Sequence, residues 1–345
     1  MDFRPIRAKK RLFLTGTPLT ARPIQLWSLC EKVDPRGLGR SWKSFIYRYC
    51  GAHHDGFGID TRGATNLDEL QYKLRTSFMI RRDKKEVMGE LPPKSRQVIV
   101  MPDDGIQKKV ENELSAVRGL VSLYENLVGL APAESIEQTD NRFWQAVATV
   151  HGRFIDASLQ LSQDYSLAFE ELSKARKELA LAKVPLAIQY INNLMESGEK
   201  VIVFCHHTVV AEALKSHYPQ CAYITGKVPT QKRQGQVDRF QDDPSCNPMI
   251  GNIDAAGVGF TMTAASHVVF VELVFNPSNM EQAEDRAWRD GQENAVLVHF
   301  LVVDHSFDAR NITILEEKAE VLEQVLDSNK YRSLSFLADM LAENR

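Results

Sequence analysis

From residue 185 onward, short apolar runs alternate with amphipathic stretches, and this alternation is what most restricts the fold. The runs are "VIVFC" (201–205), "CAYIT" (221–225), "PMIGNI" (248–253), "HVVFVEL" (267–273) and "VLVHFLV" (296–302). Each is apolar along nearly its whole length rather than at every second residue. That pattern predicts strands covered on both faces, hence a parallel sheet with helices on either side. Between the runs lie predicted helices at 185–198, 208–216, around "QKRQGQVDRFQ" (231–241) and at 278–290. In an α/β sheet of this kind, ligands gather at the carboxyl ends of the strands.

The earlier part of the chain is patterned differently. "RLFLTGTP" (11–18) predicts a short strand, Leu12 to Leu14, stopped by Gly16 and Pro18, with Thr15 and Thr17 at its end. "IQLWSLCEKV" reads as a helix, 51–66 as an irregular glycine-rich stretch, and 67–94 as one or two helices ended by Pro92-Pro93. "RQVIVMP" predicts a strand. Ile106, Val110, Leu114, Val117, Val121 and Tyr124 then recur at helical spacing, and after the interruption "GLAPAESIEQTDN" the helical pattern resumes. The expected division is a first piece at 1–100, a helical insertion at 101–184, an α/β domain at 185–328 and a tail at 329–345.

The length of 345 residues suffices for two domains, and no apolar run approaches the roughly 20 residues of a membrane span. Five scattered cysteines without a C-x-x-C pair point to reduced intracellular thiols rather than a disulfide framework. Cys50, His53 and His54 are the one local group able to ligate a metal, and no second cluster completes a four-ligand site. The net charge of −3 conceals an asymmetry: residues 1–96 hold 20 Lys/Arg against 10 Asp/Glu. A basic portion on an otherwise acidic chain suits a polyanionic partner, although charged faces turned to water give the same count.

Two stretches carry candidate chemistry. "GNIDAAGVGFTMTAA" follows a strand and holds Gly257 and Gly259, a spacing that lets backbone approach a phosphate or that simply makes a tight turn. About twenty-five residues on, "NMEQAEDRAWRDGQENA" sets Arg286 and Arg289 three apart, with Gln282 one turn earlier. On a helix these three share a face. Glu281, Glu284 and Asp285 allow the alternative of a salt-bridged, solvated face.

Taken together, "LTGTP", "VIVFCHH", "ITGKVPTQKRQGQVDRFQ", "AAGVGFTMTAA" and "QAEDRAWRDGQ" stand in the order and spacing of the later helicase motifs. The chain resembles the SWI/SNF-type ATPases of helicase superfamily two over nearly all its length. "FMIRRDKKEVMGELPPK" is similar to a segment that follows that family's first lobe. "RYCGAHHDGFGIDTRGATNLDEL" and "ARKELALAKVP" resemble its annealing-helicase, fork-remodelling branch. The resemblance implies a RecA-like C-terminal lobe, a remnant of the first lobe and a helical insertion, within an enzyme that clamps ATP and Mg2+ between two lobes and moves along double-stranded or forked DNA. It implies Arg286 and Arg289 as arginine fingers, and Gln282, Gly257 and Gly259 on the nucleotide side. Thr15, Gly16 and Thr17 would form the coupling motif, and His206, His207, Thr225, Gly226, Lys227 and Asn252 would lie towards the DNA backbone. The implied setting is intracellular: the nucleus in a eukaryote, the cytoplasm or nucleoid in a prokaryote or phage.

Two features depart from that family's pattern. Hydrolysis needs a G-x-x-x-x-G-K-[ST] loop and an acidic strand end to hold Mg2+. Neither occurs in these 345 residues, since "SGEKV" and "TGKVPT" lack the first glycine and "NLDEL" lies in a helical pattern. The expectation is a chain inactive alone: half of a split translocase completed by an N-terminal ATPase lobe, a truncated or decayed gene product, or a non-catalytic module binding DNA or protein. In addition, Trp288 replaces the family's usual histidine and Asp290 its aliphatic residue, so Asp290 is placed to pair with Arg289 and weaken it.

Overall fold

In the computed structural model, the described residues are 8, 10–54, 59–82, 84–129, 131–133, 159–257, 259–274, 276–326 and 339. They form helices α1 (Trp27–Val33), α2 (Trp42–Tyr49), α3 (Leu67–Ser77), α4 (Lys84–Val87), α5 (Gln107–Val128), α6 (Leu159–Glu196), α7 (Thr208–His217), α8 (Thr230–Asp242), α9 (Ile253–Ala256), α10 (Pro277–Glu284) and α11 (Phe307–Leu326). The strands are β1 (His53–His54), β2 (Ile59–Asp60), β3 (Lys94–Met101), β4 (Val201–Cys205), β5 (Ala222–Ile224), β6 (Met249–Asn252), β7 (His267–Phe270) and β8 (Val296–Val303). The tail expected at 329–345 lies outside the described residues apart from Asp339.

Two compact units divide the chain. One comprises 1–89 with 276–281 and 315–335; the other comprises 90–275 with 282–314 and 336–345. The second unit holds a six-stranded sheet in the order β3-β8-β7-β4-β6-β5, with every pairing parallel. This is the parallel α/β sheet that the alternating runs predict, in the RecA-like architecture that the resemblance implies. β4 is buried at all five positions because both sheet faces are covered. On one face Val203, Ile250, Val269 and Leu301 share a core with Leu179, Val184, Ala187 and Ile191 of α6. In the same sheet Phe204, Phe270 and Phe300 stack across β4, β7 and β8 at 5.4 and 5.3 Å.

Four local expectations change in the structure. Leu12 to Leu14 is not a strand: both leucines are more than 80% exposed, because no described strand lies beside it to take its backbone hydrogen bonds. The strand at 94–101, expected within the first hundred residues, belongs to the second unit and pairs with β8 along its full length. Pro185 does not start a helix but lies inside α6. Its missing N–H is offset by burial of Leu179, Ala180 and Val184 before it and Ala187 and Ile191 after it, which keeps one apolar face continuous. The helix expected over 278–290 ends at Glu284, and 285–291 forms turns.

Candidate functional site

β4 and β7 are neighbours, yet the chain leaves them in opposite directions, from β4 towards β5 and from β7 towards β8. Their carboxyl ends therefore mark a topological switch point, where an α/β sheet opens a crevice. Glu272, two residues past β7, fills this place. Its Oε2 accepts hydrogen bonds from the backbone N–H groups of His206 and His207, each at 2.9 Å, and its Oε1 meets the His207 ring at Nδ1. Burial pushes the Glu272 carboxyl up, but the His207 contacts outweigh it and hold the group below its ordinary range. Sequence reasoning missed Glu272. Its signal is a single acid closing an otherwise apolar strand run.

Asn252, at the end of β6, ties the same corner together. Its Nδ2 donates to the carbonyl of His206 at 2.8 Å, and its Oδ1 accepts from Thr208 Oγ1 at 3.3 Å. The six residues expected towards DNA thus separate by exposure. His206, Gly226 and Lys227 are exposed, the last in an ion pair with Glu212 at 2.7 Å. His207 is half-buried against Glu272, while Asn252 and Thr225 are buried. Asn252 holds the loop beside it through these bonds, whereas the Thr225 hydroxyl is buried without a hydrogen-bond partner among the described residues.

The second constellation is the arginine turn. Arg286 donates from Nε to the Gln282 carbonyl at 2.9 Å and from Nη1 to the Phe260 carbonyl at 3.1 Å; Arg289 reaches the same Phe260 oxygen at 3.4 Å. The two guanidinium groups therefore converge, as the sequence spacing predicts, but on a turn instead of a helix face. Burial and the neighbouring Arg289 lower the Arg286 pKa against the pull of Asp285. No ion pair joins Arg289 to Asp290, and both are exposed. Trp288 is buried, its indole N–H donating to the Pro92 carbonyl at 2.7 Å and Lys94 lying 4.9 Å over its ring.

The turn is fixed from beneath. Glu284 is fully buried and takes two hydrogen bonds from Arg96 and one from Lys94. Gln292 donates to the carbonyls of Thr263, Ala265 and Ala287. Gly257 is required by contact: a Cβ there would lie 2.3 Å from the Ile253 carbonyl and 3.3 Å from Ala283. Gly259 is required by conformation, with φ +88° and open space beside it. The Gly-x-Gly segment is thus pinned at one glycine and open at the other.

Thr15, Gly16 and Thr17 belong to the other unit, in coil with Thr15 and Gly16 exposed and Thr17 half-buried, where Thr17 N–H donates to Thr15 Oγ1 at 3.1 Å. In that unit Cys50 is buried, with burial raising its thiol to about 11, whereas His53 and His54 are exposed on β1. Among the described residues no three His, Cys, Asp or Glu side chains gather to hold a metal. No described helix is long and apolar enough to cross a membrane.

The parallel sheet is RecA-like, and the chain belongs to the SNF2-related family. The SNF2-related domain matches residues 2–145 and the helicase conserved C-terminal domain matches 182–291. Within the family the chain groups with the annealing-helicase branch. It is 34% identical to the mouse DNA annealing helicase and endonuclease ZRANB3, over 94% of this chain and 28% of that protein. It is 32% identical to the Xenopus tropicalis SWI/SNF-related matrix-associated actin-dependent regulator of chromatin subfamily A-like protein 1, over 92% of this chain and 30% of that protein. The chain thus spans under a third of the length of these two relatives. A Sulfolobus solfataricus SWI2/SNF2 ATPase core aligns with 93% of this chain and 62% of its own at 17% identity and a TM-score of 0.43, too loosely to add to the strand-order argument.

Proposed function

We propose that this chain supplies the arginine-bearing half of an ATP site, and part of the track for duplex DNA, in a translocase of the fork-remodelling type. The observation that carries the reading is the convergence of Arg286 and Arg289 on one backbone oxygen, that of Phe260. Two cationic donors sharing a single carbonyl can exchange it for a phosphate oxygen, which accepts more strongly. Gly259 leaves open backbone nearby in sequence, so the residues present fit a nucleotide phosphate.

ATP, when bound, supplies the phosphoryl group for transfer to water. The chain's own contribution is charge: Arg286 and Arg289 oppose the negative charge that builds on that group, an effect worth about 10³–10⁵ in rate. Gln282 orients Arg286 through its carbonyl. Mg2+ is assigned no ligand from this chain. It comes with the phosphates, on a lobe bearing the G-x-x-x-x-G-K-[ST] loop, whether joined to this sequence or carried by a separate polypeptide. Thr15, Gly16 and Thr17 couple that site to the DNA. His206, His207, Thr225, Gly226 and Lys227 lie towards the DNA backbone, with Asn252 and Glu272 holding the His206–His207 corner. Such contacts go mainly to phosphate and are tolerant of sequence and sensitive to salt. The setting is the compartment that holds the cell's DNA.

The test is reconstitution. The 345-residue chain alone should not hydrolyse ATP, and adding a complementing lobe should give DNA-stimulated turnover. Arg289→Ala should abolish that turnover while duplex binding persists. Turnover unchanged by Arg289→Ala would leave the second reading, a non-catalytic module that binds DNA or protein.

A further inference from the structure

The first unit carries a surface that the motor reading does not use. Between Pro35 and His54 the sequence has no acidic residue, and Arg36, Arg40, Lys43 and Arg48 all lie in it. The structure gathers the first three at one corner, in the loop from α1 to α2 and on the first turn of α2. That loop is fixed. A Cβ on Gly39 would lie 2.3 Å from the Cys30 carbonyl, and one on Gly37 would lie 2.1 Å from the Asp34 carboxylate.

The neighbouring acids are occupied. Asp34 accepts from the backbone N–H groups of Gly37 and Leu38 at 3.1 and 2.8 Å, Glu31 pairs with Lys32, and Glu69 pairs with Arg48 and Lys73. Arg36, Arg40 and Lys43 are exposed and have no acidic partner among the described residues. Two aromatic rings stand among them. Trp42 is 42% exposed and Tyr47 is 55% exposed. Trp42 is braced edge-on by Trp27 at 5.3 Å, and Trp27 in turn by Phe45 at 5.5 Å, so its ring is held at the surface by an aromatic ladder. Lys43 and Tyr47, four apart, share one strip of α2, and Arg40 lies in the loop two residues before that helix.

We propose that this α1–α2 corner binds single-stranded nucleic acid, with phosphates on Arg36, Arg40 and Lys43 and unpaired bases stacked on Trp42 and Tyr47. Cations that track a backbone, interleaved with rings that accept any base face, are how strands are held without sequence preference. A duplex keeps its base faces stacked inside and offers these rings nothing. An acidic peptide satisfies the cations but presents no flat π surface to either ring. The surface is independent of the ATP-site reading, which rests on the other unit.

The test uses the full chain and a short fluorescent oligo(dT), read by anisotropy, with far-UV circular dichroism confirming that each variant is folded. The double variant Arg40→Glu/Lys43→Glu should lose affinity about tenfold or more and flatten the salt dependence. Tyr47→Ala should lose about fivefold or more, and Tyr47→Phe, which keeps the ring, should retain binding. Oligo(dT) affinity unchanged by the double charge reversal would overturn the proposal. So would displacement of the oligonucleotide by a poly-glutamate peptide as effective as unlabelled oligo(dT). Duplex affinity measured on the same variants separates the two readings: it should be unchanged, whichever way the single-strand arm falls.

Discussion

Arg96 and Glu284 are wholly buried against each other, the guanidinium donating to the two carboxylate oxygens at 2.9 and 2.5 Å. One lies on β3 and the other is the last residue of α10, so this pair anchors the turn that carries Arg286 and Arg289 to the edge strand of the sheet. A carboxylate at a helix C-terminus opposes the helix dipole and needs a cation to stay there.

Removing Arg96 leaves the buried Glu284 carboxylate with Lys94 as its remaining cation and two of these three hydrogen bonds unmade. Arg96→Ala should therefore cost about 3 kcal/mol in urea unfolding. The triple replacement Lys94→Met/Arg96→Met/Glu284→Leu should cost less than the single change, since apolar groups of similar volume need no counter-charge. A triple variant as unstable as Arg96→Ala would show that the site needs the charges themselves.

Glu113 gives a pH dependence whose sign is set by burial. It is 3% exposed and accepts from the Phe307 N–H at 2.8 Å, at the start of α11. Burial, and then the nearby Asp308, raise its carboxyl from 4.5 to about 7. The folded state therefore binds this proton more tightly than the unfolded state does. The stability it contributes is full below about pH 4.5 and is lost as pH rises through about 7, a change of about 3 kcal/mol at about 1.4 kcal/mol per unit. Glu113→Gln keeps an oxygen acceptor without the charge. It should flatten the stability profile between pH 5 and 8, read by denaturant midpoint, and gain most over the parent at the alkaline end.

Glu272 should matter to the His206–His207 corner out of proportion to its invisibility in the sequence. Glu272→Ala removes the acceptor for two backbone N–H groups and the His207 ring, at a cost of about 1–3 kcal/mol. If this corner faces DNA, duplex affinity should fall together with that stability, whereas Val209→Ala, on an exposed position of α7, should change neither. Duplex affinity unaffected by Glu272→Ala would remove the corner from the proposed track.

The elements of the second unit were legible because each strand run is apolar throughout and each is bounded by helical spacing. What misled were places where one residue's local preference conflicts with packing. Pro185 signals a helix start, yet the apolar residues on both sides of it share one core and carry α6 straight through. Leu12 to Leu14 has strand composition, yet a strand exists only beside another, and no described strand pairs with it. Arg286 and Arg289 have helical spacing, but the helix ends at Glu284 and the turn beyond it still brings both guanidinium groups to Phe260.

By itself the sequence determined the class of fold, through the spacing of its apolar runs, and the family, through five motifs in order. Only the tertiary structure decided which polar residues work together. Glu272 with His206 and His207, Arg96 with Glu284, and Arg286 and Arg289 on the Phe260 oxygen are separated by 65 and 66, 188, and 26 and 29 residues. Spacing along a chain reports which residues share a face of one element. Parallel strands are paired across long crossovers, so the residues that meet at their ends come from distant segments whose register is set by the sheet.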